Sequence, residues 1–142
     1  MNAIAKCLGL CLVLATGDAT AEKCSQLDAY AAEAVTGYLD SWRNLKMGYE
    51  QFKHCDDGSI AEGFSEAVAR LLSDRWTQLA QFTKYATEDS GFERFVLAHI
   101  DATLDPRDLE KIRRLAQTRC PDGTRELCAK IVARSKEALA GQ

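Results

Sequence analysis

The chain has 142 residues, with 18 Lys and Arg against 21 Asp and Glu, six cysteines and two histidines. Its length suits one domain, and a composition 46% hydrophobic and 27% charged is that of a globular protein, which excludes wholesale disorder. A net charge of -3 gives no electrostatic footing for a nucleic-acid partner or an anionic membrane surface, and 2 Pro with 9 Gly exclude collagen-like and low-complexity chains.

Residues 1–21 read as an export signal. Lys6 precedes an apolar run, Cys7 to Ala15, and small residues follow, ending in Ala19-Thr20-Ala21, the A-x-A pattern cut by signal peptidase. The run is far shorter than the ~20 residues of a membrane-spanning helix. Leu8-Gly9-Leu10-Cys11 brings a lipoprotein signal to mind, but Leu10 is too bulky for the position before a lipidated Cys. The expected product is a cleaved periplasmic or secreted chain starting near Glu22, with no stable membrane insertion. Loss of Lys6 and Asp18 leaves its net charge unchanged.

The rest, residues 22–142, has helical periodicity. From Leu27 the apolar positions Ala31, Ala34, Val35, Tyr38, Leu39, Trp42, Leu45, Tyr49 and Phe52 stay in phase as one stripe. Gly37 and Gly48 interrupt it at ~1 kcal/mol each relative to Ala, which leaves room for a kink or break at Gly48. His54-Cys55-Asp56-Asp57-Gly58 is a turn by composition. Ser59-Ile60-Ala61-Glu62 has the form of a capping box opening a second helix. Trp76, Leu79 and Phe82 extend that helix or begin a new one at Ser73-Asp74. Ser90-Gly91-Phe92-Glu93 repeats the capping-box pattern before the stripe Phe92, Phe95, Val96, His99, Ile100 and Leu104. Asp105-Pro106 starts a further helix, with Asp at the cap and Pro where its missing N–H costs nothing. Cys120-Pro121-Asp122-Gly123 breaks it, and Leu127, Cys128, Ile131, Ser135 and Leu139 mark the last. No stretch alternates as a strand would. The predicted fold is all-α, a single compact, disulfide-braced bundle of five or six helices.

Signal cleavage leaves Cys24, Cys55, Cys120 and Cys128, an even set that points to disulfides in an oxidising compartment. A four-thiolate zinc site would want a short C-x2-4-C knuckle, which Cys120 and Cys128 lack. An unbroken helix from Leu27 to Phe52 would be roughly 39 Å long at ~1.5 Å per residue, holding Cys24 and Cys55 apart. That geometry favours pairing each with a C-terminal cysteine. A Cys24–Cys55 bond instead requires the first helix to fold back, for which Gly48 is the expected place.

The chain offers little catalytic chemistry. His99 lies on an apolar stripe, where a hydrogen-bonded core histidine is the ordinary reading. His54 beside Cys55 would make a thiol–imidazole pair only if Cys55 were unpaired. Gly63-Phe64-Ser65-Glu66-Ala67 is superficially like a nucleophile elbow, but lies inside a helix in a chain without a sheet. Asp56-Asp57-Gly58 fails the spacing of a calcium loop. Glu62 and Glu66 are the carboxylates nearest an apolar stripe, as a glycosidase pair would be. Lys111, Arg113 and Arg114 fall among acids, as on a solvated helix face, and Trp42 and Trp76 read as core anchors.

The run from His54 to Phe64, with Phe95-Val96-Leu97-Ala98-His99-Ile100-Asp101 downstream, resembles small exported helical proteins of proteobacteria, mostly of unassigned role. In signal, size, helicity and paired cysteines the chain also resembles periplasmic immunity proteins that neutralise cell-wall-degrading toxins. That resemblance implies a non-catalytic protein that binds another protein, without cofactor or metal. The contacts would come from the turn, at Asp56, Asp57 and Ser59, with the stripes taken up by the core. The rival expectations are a small envelope hydrolase using Glu62 and Glu66, and a structural or stress-related envelope protein.

Overall fold

The computed structural model describes residues 23–142, so the export signal expected at residues 1–21 lies outside the described residues. Within them are seven α-helices and no strands: α1 (Gln26–Thr36), α2 (Trp42–Phe52), α3 (Gly58–Asp74), α4 (Leu79–Glu88), α5 (Ser90–Ala98), α6 (Pro106–Thr118) and α7 (Arg125–Ala140). Short 3-10 turns at Lys53–Cys55 and Trp76–Gln78 join α2 to α3 and α3 to α4. The helix count exceeds the expected five or six because the first stripe is divided between α1 and α2.

That division falls at Gly37–Ser41, not at Gly48. Ser41 takes a cap position, its hydroxyl accepting from the Asn44 N–H at 3.2 Å, while the Asn44 amide donates to the Tyr38 carbonyl and to Asp40. These local bonds offer the backbone an alternative to a continuing helix. Gly48 sits within α2 for packing: a Cβ there would come 3.0 Å from Leu39 and 3.5 Å from Phe64.

Because α1 folds back, Cys24 bonds to Cys55, with 4.8 Å between Cα atoms, and Cys120 bonds to Cys128 at 6.0 Å. The expected pairing of each N-terminal cysteine with a C-terminal one is therefore incorrect. Its premise, an unbroken first helix, is what fails.

α3 runs through the centre and packs against α1, α2 and α6. Its buried face, Ile60, Phe64, Ala67, Val68, Leu71 and Leu72, meets a core containing Trp42, Phe82, Phe92, Ile112 and Ile131. Trp42 stacks on Phe82 at 4.6 Å, and the Trp76 indole N–H donates to the Arg119 carbonyl at 2.8 Å, pinning the end of α6. Both tryptophans are core anchors, as expected. α6 and α7 form a hairpin whose connection carries the Cys120–Cys128 bond.

Two caps lie upstream of the serines expected to supply them. Asp57, not Ser59, caps α3, and Asp89, not Ser90, caps α5 with one carboxylate oxygen accepting from Gly91 and Phe92. A carboxylate opposite the positive end of a helix is favoured by charge as well as by hydrogen bonding. Glu93 is thereby released to pair with Lys130 of α7 at 2.7 Å.

α5 stops at Ala98, yet Ile100 and Leu104 remain buried in the segment that follows. That segment is held from α7 and the residues after it: Arg134 of α7 donates to the carbonyls of Leu97, in the last turn of α5, and Ile100, and the side chain of Gln142, past the end of α7, donates to the Leu104 carbonyl at 2.7 Å.

Candidate functional site

α1 wears its apolar residues on the wrong side for a core helix. Its fully buried side chain is Ala32, with Ala29 and Val35 partly covered. Leu27, Tyr30 and Tyr38 are 78%, 65% and 76% exposed, and Ala34 between them is exposed as well. Positions 27, 30 and 34 recur at three- and four-residue steps and so share one face of α1, and Tyr38 follows in the turn past its end. Small residues turn inward because the neighbour is close: a Cβ on Gly63 of α3 would lie 2.6 Å from the Thr36 Cβ.

The outward face of α1 presents Leu27 and Tyr30 to solvent, and large exposed apolar side chains set side by side are often functional. The expectation that this stripe is taken up by the core is thus corrected for Leu27, Ala34 and Tyr38. Met47, the other large exposed apolar side chain among the described residues, stands apart on α2 beside Arg43, Glu50 and Glu88.

The turn singled out in the sequence borders this face. Ser59 is exposed and its hydroxyl donates to Glu33 of α1 at 3.2 Å. Glu33 lies one helical turn from Tyr30, so the two are neighbours on the helix surface. Asp57 is exposed and accepts from the Gly58 N–H at 2.8 Å, where Gly58 adopts φ +54°. Asp56 points inward to His99. Glu33 gives the apolar face an acidic neighbour on the Tyr30 side, while each residue of the turn also has a partner within the chain.

α1 is fastened at a joint built from four contacts. The Cys24–Cys55 bond ties its start to the 3-10 turn after α2. Ser25 and Asp28 cap it reciprocally, a capping box with Asp in place of Glu. His54 Nε2 stands 3.6 Å from the Asp28 carboxylate. One residue past the disulfide, Asp56 accepts from His99 Nε2 at 3.1 Å.

His99 is 5% exposed, with its ring against Phe95 and Phe64. Its Nδ1 donates to the Phe95 carbonyl at 2.8 Å. Both ring nitrogens therefore face oxygens that only accept, and the doubly protonated imidazolium is the form that satisfies them. Burial alone would push the His99 pKa down. The hydrogen bond to Asp56, the Phe95 carbonyl and the charges of Asp56 and Asp101 outweigh that and raise it. For Asp101 burial works upward, but bonds from Thr103 and Ser65 and the His99 charge hold the carboxyl below its ordinary value.

The remaining candidates are placed as follows. Ser65 lies buried within α3, its hydroxyl donating to Asp101 at 2.9 Å, with the helical backbone around it unlike an elbow. Cys55 is in a disulfide, so His54 has no thiol to activate. Glu62 and Glu66 line a cleft of about 560 Å³ between α3 and the start of α6, with Arg70, Thr103, Asp105 and Asp108. Both are exposed, and Arg70 stands 3.7 Å from Glu66. Neither has the apolar surroundings that keep a catalytic carboxyl protonated. Lys111 pairs with Asp74 and Arg113 with Glu110, as on a solvated helix face. Among the described residues no group of three or more His, Cys, Asp or Glu is placed to hold a metal ion, and no helix is long and apolar enough to cross a membrane.

Compared with protein-family models, with curated proteins and with solved structures, the chain matches none.

Proposed function

We propose that this is a non-catalytic, exported binding protein that seats the outer face of α1 in an apolar groove of another protein. The observation that carries this reading is the exposed row Leu27, Tyr30 and Ala34 on a helix fastened at its start by a disulfide, with exposed Tyr38 just past its end. A helix laid by its apolar face into a groove is a recurring recognition mode, and fastening it beforehand lowers the ordering cost of association. Glu33 beside Tyr30 suits a groove bordered by a basic side chain. Two disulfides fit an oxidising compartment, periplasmic or secreted. The most concrete form of the reading is an inhibitor or immunity protein against an envelope-targeting toxin, in line with the resemblance drawn from the sequence.

The test is a salt-resistant, stoichiometric complex recovered from envelope extracts that include competitor strains. Leu27→Asp and Tyr30→Asp should abolish it and Met47→Asp should not; assay of the captured protein's activity then tests inhibition. Equal loss in all three variants, or in none, removes α1 as the contact.

The cleft bearing Glu62 and Glu66 favours the second reading, a small envelope hydrolase. Turnover of cell-wall material lost in Glu62→Gln or Glu66→Gln would support it.

A further inference from the structure

Both histidines of the chain stand at the joint that fastens α1. His54 reaches Asp28 of α1 directly. His99, at the end of α5, holds Asp56, whose neighbour Cys55 is bonded to Cys24 at the start of α1. The charged groups that face His99 are Asp56 from the turn and Asp101 from the segment after α5, while α3 contributes the neutral Ser65, which donates to Asp101. Lys53, at the start of the 3-10 turn, lies over the Tyr49 ring, and Arg134 of α7 is bound to the Leu97 carbonyl and Glu137. The His99 imidazolium is thus the cation set against Asp56 and Asp101.

We propose that the His99–Asp56 contact makes the seating of α1 responsive to pH, clamped when the imidazole is doubly protonated and loosened when it is neutral. Neutral His99 keeps its bond to the Phe95 carbonyl and turns a lone pair toward the Asp56 carboxylate, so that contact becomes repulsive. The raised His99 pKa places its release above the ordinary histidine value of 6.5. Loosening would weaken the binding face by undoing its preorganisation; that consequence rests on the reading under Proposed function.

The experiment is amide hydrogen exchange of the oxidised protein without any partner, at about pH 5.5 and about pH 9, expressed as protection factors so that intrinsic exchange cancels. In the wild type, protection across α1 should fall about tenfold, the effect of losing one charged hydrogen bond, while α6 and α7 keep theirs. In Asp56→Asn the fall should vanish, because an amide serves either protonation state of His99. A wild-type α1 equally protected at both pH values, or unprotected at both, overturns the proposal, as does the same fall in the variant. If the variant does not fold, titration of the wild-type His99 imidazole by NMR decides. Its midpoint must coincide with the change in α1 protection, and separation by more than about one pH unit overturns the clamp. Failure here leaves the binding face standing, whereas failure of the Leu27 and Tyr30 variants to lose a partner would remove that face and leave the clamp.

Discussion

Thr36 and Gly63 touch so closely that no side chain fits between them, a Cβ on Gly63 falling 2.6 Å from the Thr36 Cβ. The crowded atom is not the tip of a flexible side chain, so α1 as a whole must yield. Gly63→Ala gains up to ~1 kcal/mol of helix propensity but overpacks the contact at a cost of ~1–3 kcal/mol. The expected result is net destabilisation of about 1–2 kcal/mol in urea unfolding. Gly37 has nothing within 4 Å of its Cβ position and φ -69°. Gly37→Ala is expected to be neutral or to stabilise by up to ~1 kcal/mol.

The two disulfides should differ in their contribution. Cys24–Cys55 closes a loop of 31 residues and Cys120–Cys128 one of 8. Loop-closure entropy gives about 3.7 and about 2.5 kcal/mol respectively. Replacing each pair by serines, followed by denaturant titration, should rank the losses in that order. Only the first replacement is expected to lower protection of α1.

Asp105 caps α6 and accepts from Arg107, through both the backbone N–H at 2.8 Å and the guanidinium. Those bonds draw its carboxyl down to about 2. A lowered carboxyl pKa gives stability that is present above the unfolded value and lost as pH falls through the folded one. Carboxyl titration by NMR should therefore find Asp105 still ionised at about pH 3, below the ordinary aspartate value. Asp105→Ala, losing the cap, should lower the urea midpoint at neutral pH.

Leu27 and Leu45 lie on the same apparent stripe in the sequence and should behave oppositely. Leu45 is buried, so Leu45→Ala is expected to cost ~2–5 kcal/mol. Leu27→Ser should shift stability by no more than ~0.5 kcal/mol, because that side chain is exposed. Equal costs would mean that α1 is rotated from the orientation described.

The contrast between those two leucines marks what the sequence made legible. Signals carried by adjacent residues were readable: Asp105-Pro106 starts α6 as expected, and the turn at 120–123 separates the last two helices. The break at Gly37–Ser41 had a local signal in Ser41 and Asn44, but the residues on either side happen to keep the same helical phase, which conceals it. Periodicity groups residues onto a face without saying which face turns inward. For α1 that choice is made by Gly63, 27 positions beyond Thr36, and by the staple to Cys55. His99 was legible as a hydrogen-bonded core histidine; its partner Asp56 was not, since 43 residues separate them.

The staple between Cys24 and Cys55 also decides where mechanical load goes. α1 and α2 lie inside one covalent ring whose clasp sits at the junction with α3. A pull at Leu27 or Tyr30 is therefore passed to that clasp as well as to the packing of α1 on α3. If α1 is lifted from α3, its start stays tethered beside the head of α3, and the ring limits how far it can travel.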